Sequence, residues 1–309
     1  MVAKKISTSD KQAVCKKLIA SLKKRYSATL PKYDRPVLET ILHAICLENT
    51  TNETADKVFD ALLDGFHDLN EIRVSTISEL EAVFDDVDDA EWRAYRIRTV
   101  LQYVFDKEFC FDLELLRKKT LEQAQKQLSR MKTLTPFVLN HTLQVVLGSH
   151  LVPADEKILN ASKWLGLLPE EESIETASDT LKSSVRKTDA PLFSHLLRCL
   201  ATDEELAADF NLAKNPLPEE GVDLMEAPAR MEAMFANPLS RQKKKVVKKK
   251  KAKASSKTKT AATKVKKKVP AKTKTAKKTV KKTAGKTPAA KRTATTKKVP
   301  KKKSSSTKK

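Results

Sequence analysis

Glycine is scarce in this chain, with five in 309 residues. Gly65, Gly148, Gly166 and Gly221 stand alone before residue 240, so no glycine-rich phosphate loop, dinucleotide fingerprint or calcium loop can be assembled. Cysteine is sparse as well: Cys15, Cys46, Cys110 and Cys199 form no close pair. Their scatter gives neither a zinc-ligand spacing nor a disulfide framework, and reads as reduced thiols in an intracellular protein. His43, His67, His141, His150 and His195 are isolated and form no H-E-x-x-H pattern. The acidic clusters FDDVDDAEW and PEEESIE read as solvated faces or helix starts rather than metal sites. No apolar run approaches the ~18 residues of a membrane span, and MVAKKISTSDKQ has no apolar signal core. Membrane insertion and secretion are therefore not expected.

Acids are missing altogether from the last part of the chain, and so are aromatics. Of 61 Lys and Arg, 31 lie past residue 240, where no Asp or Glu occurs. The remaining 30 bases face all 39 acids, so the front of the chain carries about −9 and the tail +31. Segment 241–309 is a low-complexity Lys, Ala, Thr, Pro array too poor in apolar surface to offset its ordering entropy, and disorder is expected there. Such lysines bind polyanions by releasing condensed counterions, without regard to sequence. With no aromatic to stack on bases, phosphate contact is what remains, and Lys243, Lys248, Lys266, Lys277 and Lys301 sample it along the tail. A purely solubilising tail is the bland alternative. In composition the tail resembles those of linker histones and lysine-rich nucleoid proteins. The expected partner is DNA, in a nucleoid or a nucleus, with no membrane role.

In the front, apolar residues recur every three or four positions with few alternating β-branched stretches, which predicts an all-α fold. Helices are expected over 9–25, 35–47, 52–66, 76–84, 89–107, 119–131, 136–148, 155–166, 174–187 and 190–201. Ser9, Pro36 and Thr120 mark starts, and Gly148 a stop. The organisation expected is an N-terminal helix within 1–30, a helical domain of two packed lobes over 31–202, a linker over 203–240 with one short helix at 223–235, and the basic tail.

One stretch raises a sharper question. LVPADEKIL, 151–159, sets Asp155 at a helix mouth after the apolar run VLNHTLQVVLG, 138–148. Residues 131–166 as a whole, MKTLTPFVLNHTLQVVLGSHLVPADEKILNASKWLG, resemble the hairpin and catalytic segment of the endonuclease III branch of the helix-hairpin-helix DNA glycosylases. Aligned without gaps, Asp155 falls on that family's catalytic aspartate, and Asn140 and Leu143 on helix positions the family fills alike. LENTTNETADKVFDALL, 47–63, resembles the family's N-terminal segment, where Asn49, Thr51, Asn52 and Lys57 take the places of its Gln, Thr, Asp and Lys. The resemblance continues through DAEWRAYRIRTVLQYVF and covers about 35–170.

Departures limit what the resemblance implies. The family hairpin Leu-Pro-Gly-x-Gly, whose glycines let backbone N–H groups approach a DNA phosphate, is Met131, Lys132, Thr133, Leu134 and Thr135 here. Threonine resists positive φ, so the hairpin must be remodelled or its phosphate contact weakened. The family's Schiff-base lysine is Phe137, which has no amine, and a lyase step by that residue is excluded. Lys132 and Lys157 are distant substitutes. Cys199 lies near the first ligand of the family's [4Fe–4S] motif with no cysteine after it, so no cluster or other cofactor is expected.

For Asp155 two readings stand side by side. As a helix cap it contributes ~1 kcal/mol. As the family's carboxylate it stabilises an oxocarbenium charge and helps water attack while the target base is flipped out, with Asn49 near that base. For the whole chain, the leading expectation is a monofunctional glycosylase tethered to DNA by its tail, which the acid retained at the catalytic place favours. The other is a body without activity that serves as an interaction module on DNA, which its negative charge favours.

Overall fold

The computed structural model describes residues 7–239 apart from 33, 85, 86, 219 and 220. The expectations for the basic tail, disorder and the contacts of Lys243, Lys248, Lys266, Lys277 and Lys301 included, lie outside the described residues. Within them the fold is all-helical, and two hydrophobic clusters divide it.

The first cluster spans Val37 to Leu151. It is built by α2 (Val37–Leu47), α3 (Asn52–Gly65), α4 (Leu69–Val74), α5 (Ile77–Glu81), α6 (Ala90–Glu108), α7 (Leu121–Leu128) and α8 (Pro136–Leu147). Ten of the eleven residues of α2 are buried, as befits a helix with α3, α6 and α8 packed around it. The second cluster joins α9 (Glu156–Trp164), α10 (Ile174–Ser184), α11 (Ala190–Thr202) and α12 (Ala227–Ala236) to α1 (Thr8–Arg25). The N-terminal helix is thus not a body of its own. Val14, Leu18 and Leu22, one turn apart, bury against the C-terminal helices, and Met231 and Met234 of α12 come back to meet them. An ion pair between Arg25 and Asp203 at 2.8 Å fixes the open end of that lobe.

Local chemistry sets the helix ends. Ser7 caps α1 by accepting from the Asp10 N–H at 3.1 Å, and Thr120 closes a capping box with Gln123 on α7. Gly148 ends α8 at φ +58°. Several elements are shorter than their periodicity suggests: α7 stops at Leu128, α10 at Ser184 and α9 at Trp164. The 76–84 helix is α5 followed by a 3-10 turn at Ala82–Phe84. Periodicity continues past the point where backbone hydrogen bonding stops, which explains the overshoot. Two elements escaped notice, α4 and the 3-10 turn Glu114–Lys118. With one buried residue each, neither shows a helical period.

Candidate functional site

The C-terminus of α2 leaves carbonyls that its own helix cannot satisfy. Two buried arginines answer them. Arg93 on α6 donates to Cys46 O at 3.1 Å and Glu48 O at 2.7 Å, and Arg198 on α11 donates to Leu47 O at 2.9 Å. Burial pulls the Arg93 guanidinium below its ordinary range, offset by the carboxylate of Glu48 and the Cys46 thiol.

Arg198 reaches further. The same Nη1 lies 3.1 Å from Asp155 Oδ2, and Asp155 is 0% exposed. Asp155 caps α9, its Oδ1 accepting from the Ile158 N–H at 2.9 Å. Its Oδ2 also accepts the Asn49 N–H at 3.0 Å. Asn49 sits in the left-handed region at φ 58°, which asparagine tolerates better than most residues. From there its Oδ1 accepts the Lys157 N–H at 3.3 Å. Asn49 and Asp155 therefore cap each other's chain segments across the junction of the two clusters.

Phe137 closes the other flank. It is fully buried, its ring is stacked on His141 at 5.6 Å, and the Arg198 guanidinium lies 4.6 Å from its centroid. Burial, then the charge of Arg198 and of His43, pushes the His141 imidazole well below its usual value. Each oxygen of the one candidate carboxylate is thus engaged, beneath a cation and an aromatic ring. No face of it meets solvent.

The other candidate residues gather elsewhere. Thr51 caps α3, accepting from the Thr54 N–H at 3.1 Å. The Asn52 amide faces the His195 ring at 3.3 Å, and Cys199 lies 3.9 Å beyond it. Lys57 is exposed. Burial raises the Cys199 thiol to about 11, and Cys15, Cys46 and Cys110 stand in other elements, so one thiol is all this corner offers toward the four ligands of an iron-sulfur cluster.

Lys132, Thr133 and Thr135 form the turn between α7 and α8, tied by Leu134 N–H to Met131 O at 3.0 Å. Neither threonine has positive φ. Thr135 instead caps α8, accepting from the Val138 N–H at 3.3 Å ahead of Pro136. The turn therefore holds an N-cap and no positive-φ residue. It borders an open cleft of about 440 Å³ with Trp92, Tyr95 and Arg96 across from it. Asn140 shares a second groove, about 540 Å³, with Lys132 and Thr135, and Asp155 lines neither.

Arg198 was the residue missed. Its signal in the sequence is a cation inside the apolar run LFSHLLRCL, between Leu197 and Leu200, which buries only if an anion meets it.

No family model matches the chain, and no curated protein matches it. Among solved structures it is similar to endonuclease III in a trapped covalent DNA intermediate and in a non-covalent DNA complex. Each is 14% identical, covering 63% of this chain and 86% of that one, at a TM-score of 0.49. The Clostridium acetobutylicum 8-oxoguanine glycosylase/lyase with dsDNA is 14% identical over 60% of this chain and 68% of that one, TM-score 0.45. The H. pylori 3-methyladenine DNA glycosylase bound to 1,N6-ethenoadenine is 15% identical over 76% and 98%, TM-score 0.39. Each of these likenesses stands at 15% identity or less and a TM-score below 0.5.

Proposed function

We propose that the chain is a DNA-binding protein with a glycosylase-like helical body that does not excise bases. Its affinity comes mainly from the lysine-rich tail, whose 31 cations meet no acid. The observation that carries the second half is the sealing of Asp155. A carboxylate that assists water at a flipped nucleotide needs a face open to both. This one has Arg198, the Asn49 N–H and the Ile158 N–H on its oxygens. Its role is to join α9 to α11 and to the end of α2.

Supporting this, Phe137 stands where a Schiff-base lysine would be needed, and it is packed, not poised. The chain's cysteines do not supply the four ligands of a cluster, so no step runs through one.

The test incubates the full chain with oligonucleotides carrying uracil, an oxidised purine, an alkylated base or a mismatch. DNA is retained in a mobility shift and no base is released. Base release that disappears in Asp155→Asn while the variant still folds would overturn the reading and establish a monofunctional glycosylase. A borohydride-trapped adduct would overturn it in favour of a lyase.

A further inference from the structure

A basic cleft lies on the body away from Asp155. It has a volume of about 700 Å³ and is formed by the last turns of α6, by α7 and by the turn after it. Lys107, Lys119, Lys126 and Arg130 line it against a single carboxylate, Glu108. Lys107, Lys126 and Arg130 are exposed, and among the described residues none of the three side chains is held by a hydrogen bond or ion pair. Lys119 Nζ donates to Gln127 Oε1, which holds the ammonium at the cleft wall. Buried Val104 and Met131 make the floor.

This concentration runs against the body as a whole, which carries about −9 with these four cations included. Gathering four cations costs electrostatic self-repulsion that a bound anion relieves beyond what solvent and Glu108 do. Met131 also lines the groove of Lys132 and Thr135, so the cleft continues toward the turn before α8. The cleft combines mobile lysine point charges with one arginine able to grip two oxygens, a set suited to phosphodiester oxygens. The tail carries the same sign of charge and does not supply that anion.

We propose that this cleft is a second contact for the phosphate backbone of nucleic acid, borne by the body and distinct from the tail. The inference rests on the DNA-binding reading above. In the full chain, cleft and tail grip different phosphates of one duplex, and the cleft orients the helical body on it.

Lysine acetylation of the full chain, read by mass spectrometry with and without a 20-base-pair duplex at low salt, tests this. Lys107 and Lys126 are expected to be modified several-fold more slowly with duplex present, while exposed Lys17 and Lys214 keep their rate. Replacing Lys107, Lys126 and Arg130 together by Gln should also lower the salt dependence of binding, log K against log salt, by about 2 to 3. Protection of Lys243 and Lys248 without protection of Lys107 and Lys126 overturns the cleft and leaves the tail reading intact. Protection of no lysine overturns both. Protection by polyglutamate and not by duplex overturns it as well, and assigns the cleft to an acidic protein.

Discussion

Asp155 and Arg198 hold each other in a place where neither can meet water. Removing one member of a buried pair leaves an uncompensated charge, at a cost of about 3 to 5 kcal/mol. Asp155→Asn is therefore expected to lower the urea midpoint markedly, and Arg198→Met similarly, since it also strands Leu47 O. The double variant should lose clearly less than the sum of the two. Strict additivity in that cycle would show that the pair does not couple. The position of Asp155 at a helix start was legible, because Pro153 and the polar residues after it punctuate the chain. What it touches was not legible, because its partners stand 43 and 106 residues away in the chain. No local pattern announces such a contact.

His141, stacked on the Phe137 ring that the Arg198 guanidinium also faces, makes the lobe junction sensitive to pH. Its imidazole is depressed by burial first and by Arg198 second, so the folded chain keeps it neutral where the unfolded chain, near 6.5, binds a proton. With more protons on the unfolded state, stability present above about pH 6.5 is lost as the pH falls below it. Burial lowers His43 in the same direction. Melting temperature should fall from pH 7.5 to 5, and less steeply in His141→Leu. An unchanged slope in that variant would place the sensitivity elsewhere.

Among the elements, the end of α9 makes the tightest demand. Gly166 has φ +72°, and a Cβ there would lie 2.8 Å from Val222 O. Gly166→Ala thus combines a left-handed backbone, costing about 1 to 2 kcal/mol, with a clash against main chain that cannot swing aside. Thermal unfolding should shift down by several degrees, and proteolysis should speed up between residues 203 and 224 as that segment is levered off. Unaltered proteolysis would mean the segment is not held at Gly166. The sequence expectation ran this helix over 155–166, onto the glycine itself. It did not tell what lay against it, because 203–240 reads as linker with little periodicity and yet docks through Leu206, Phe210 and Leu224. The longer helices of the first cluster were legible for the opposite reason: their apolar stripes are long enough to show the 3.6-residue period, as that of the six-residue α4 is not. At the turn before α8 Thr133 and Thr135 leave no glycine, and the capping role of Thr135 goes with Pro136 next to it.

At the scale of the whole molecule the two charge balances, about −9 before residue 240 and +31 after it, would set how the chain meets DNA on the DNA-binding reading proposed above. An acidic body is repelled by a duplex at long range, whereas the tail is drawn to it and brings the body into reach. Among the described residues every buried apolar side chain of both clusters lies between Val14 and Met234, so a chain ending at residue 240 keeps these two cores. Deleting 241–309 is therefore expected to leave the unfolding midpoint unchanged and to remove most sequence-independent binding. In anisotropy titrations with a 30-base-pair duplex, the full chain should show a steep fall of log K with log salt, because each neutralised phosphate contributes about 0.9 to the slope. The shortened chain should keep a slope of about 2 to 3, from Lys107, Lys126 and Arg130, with affinity lower by at least about two orders of magnitude at low salt. Equal affinity with and without the tail would transfer the DNA-binding role to the body. A shortened chain with no salt dependence would instead leave the tail as the sole contact and remove the cleft from the account.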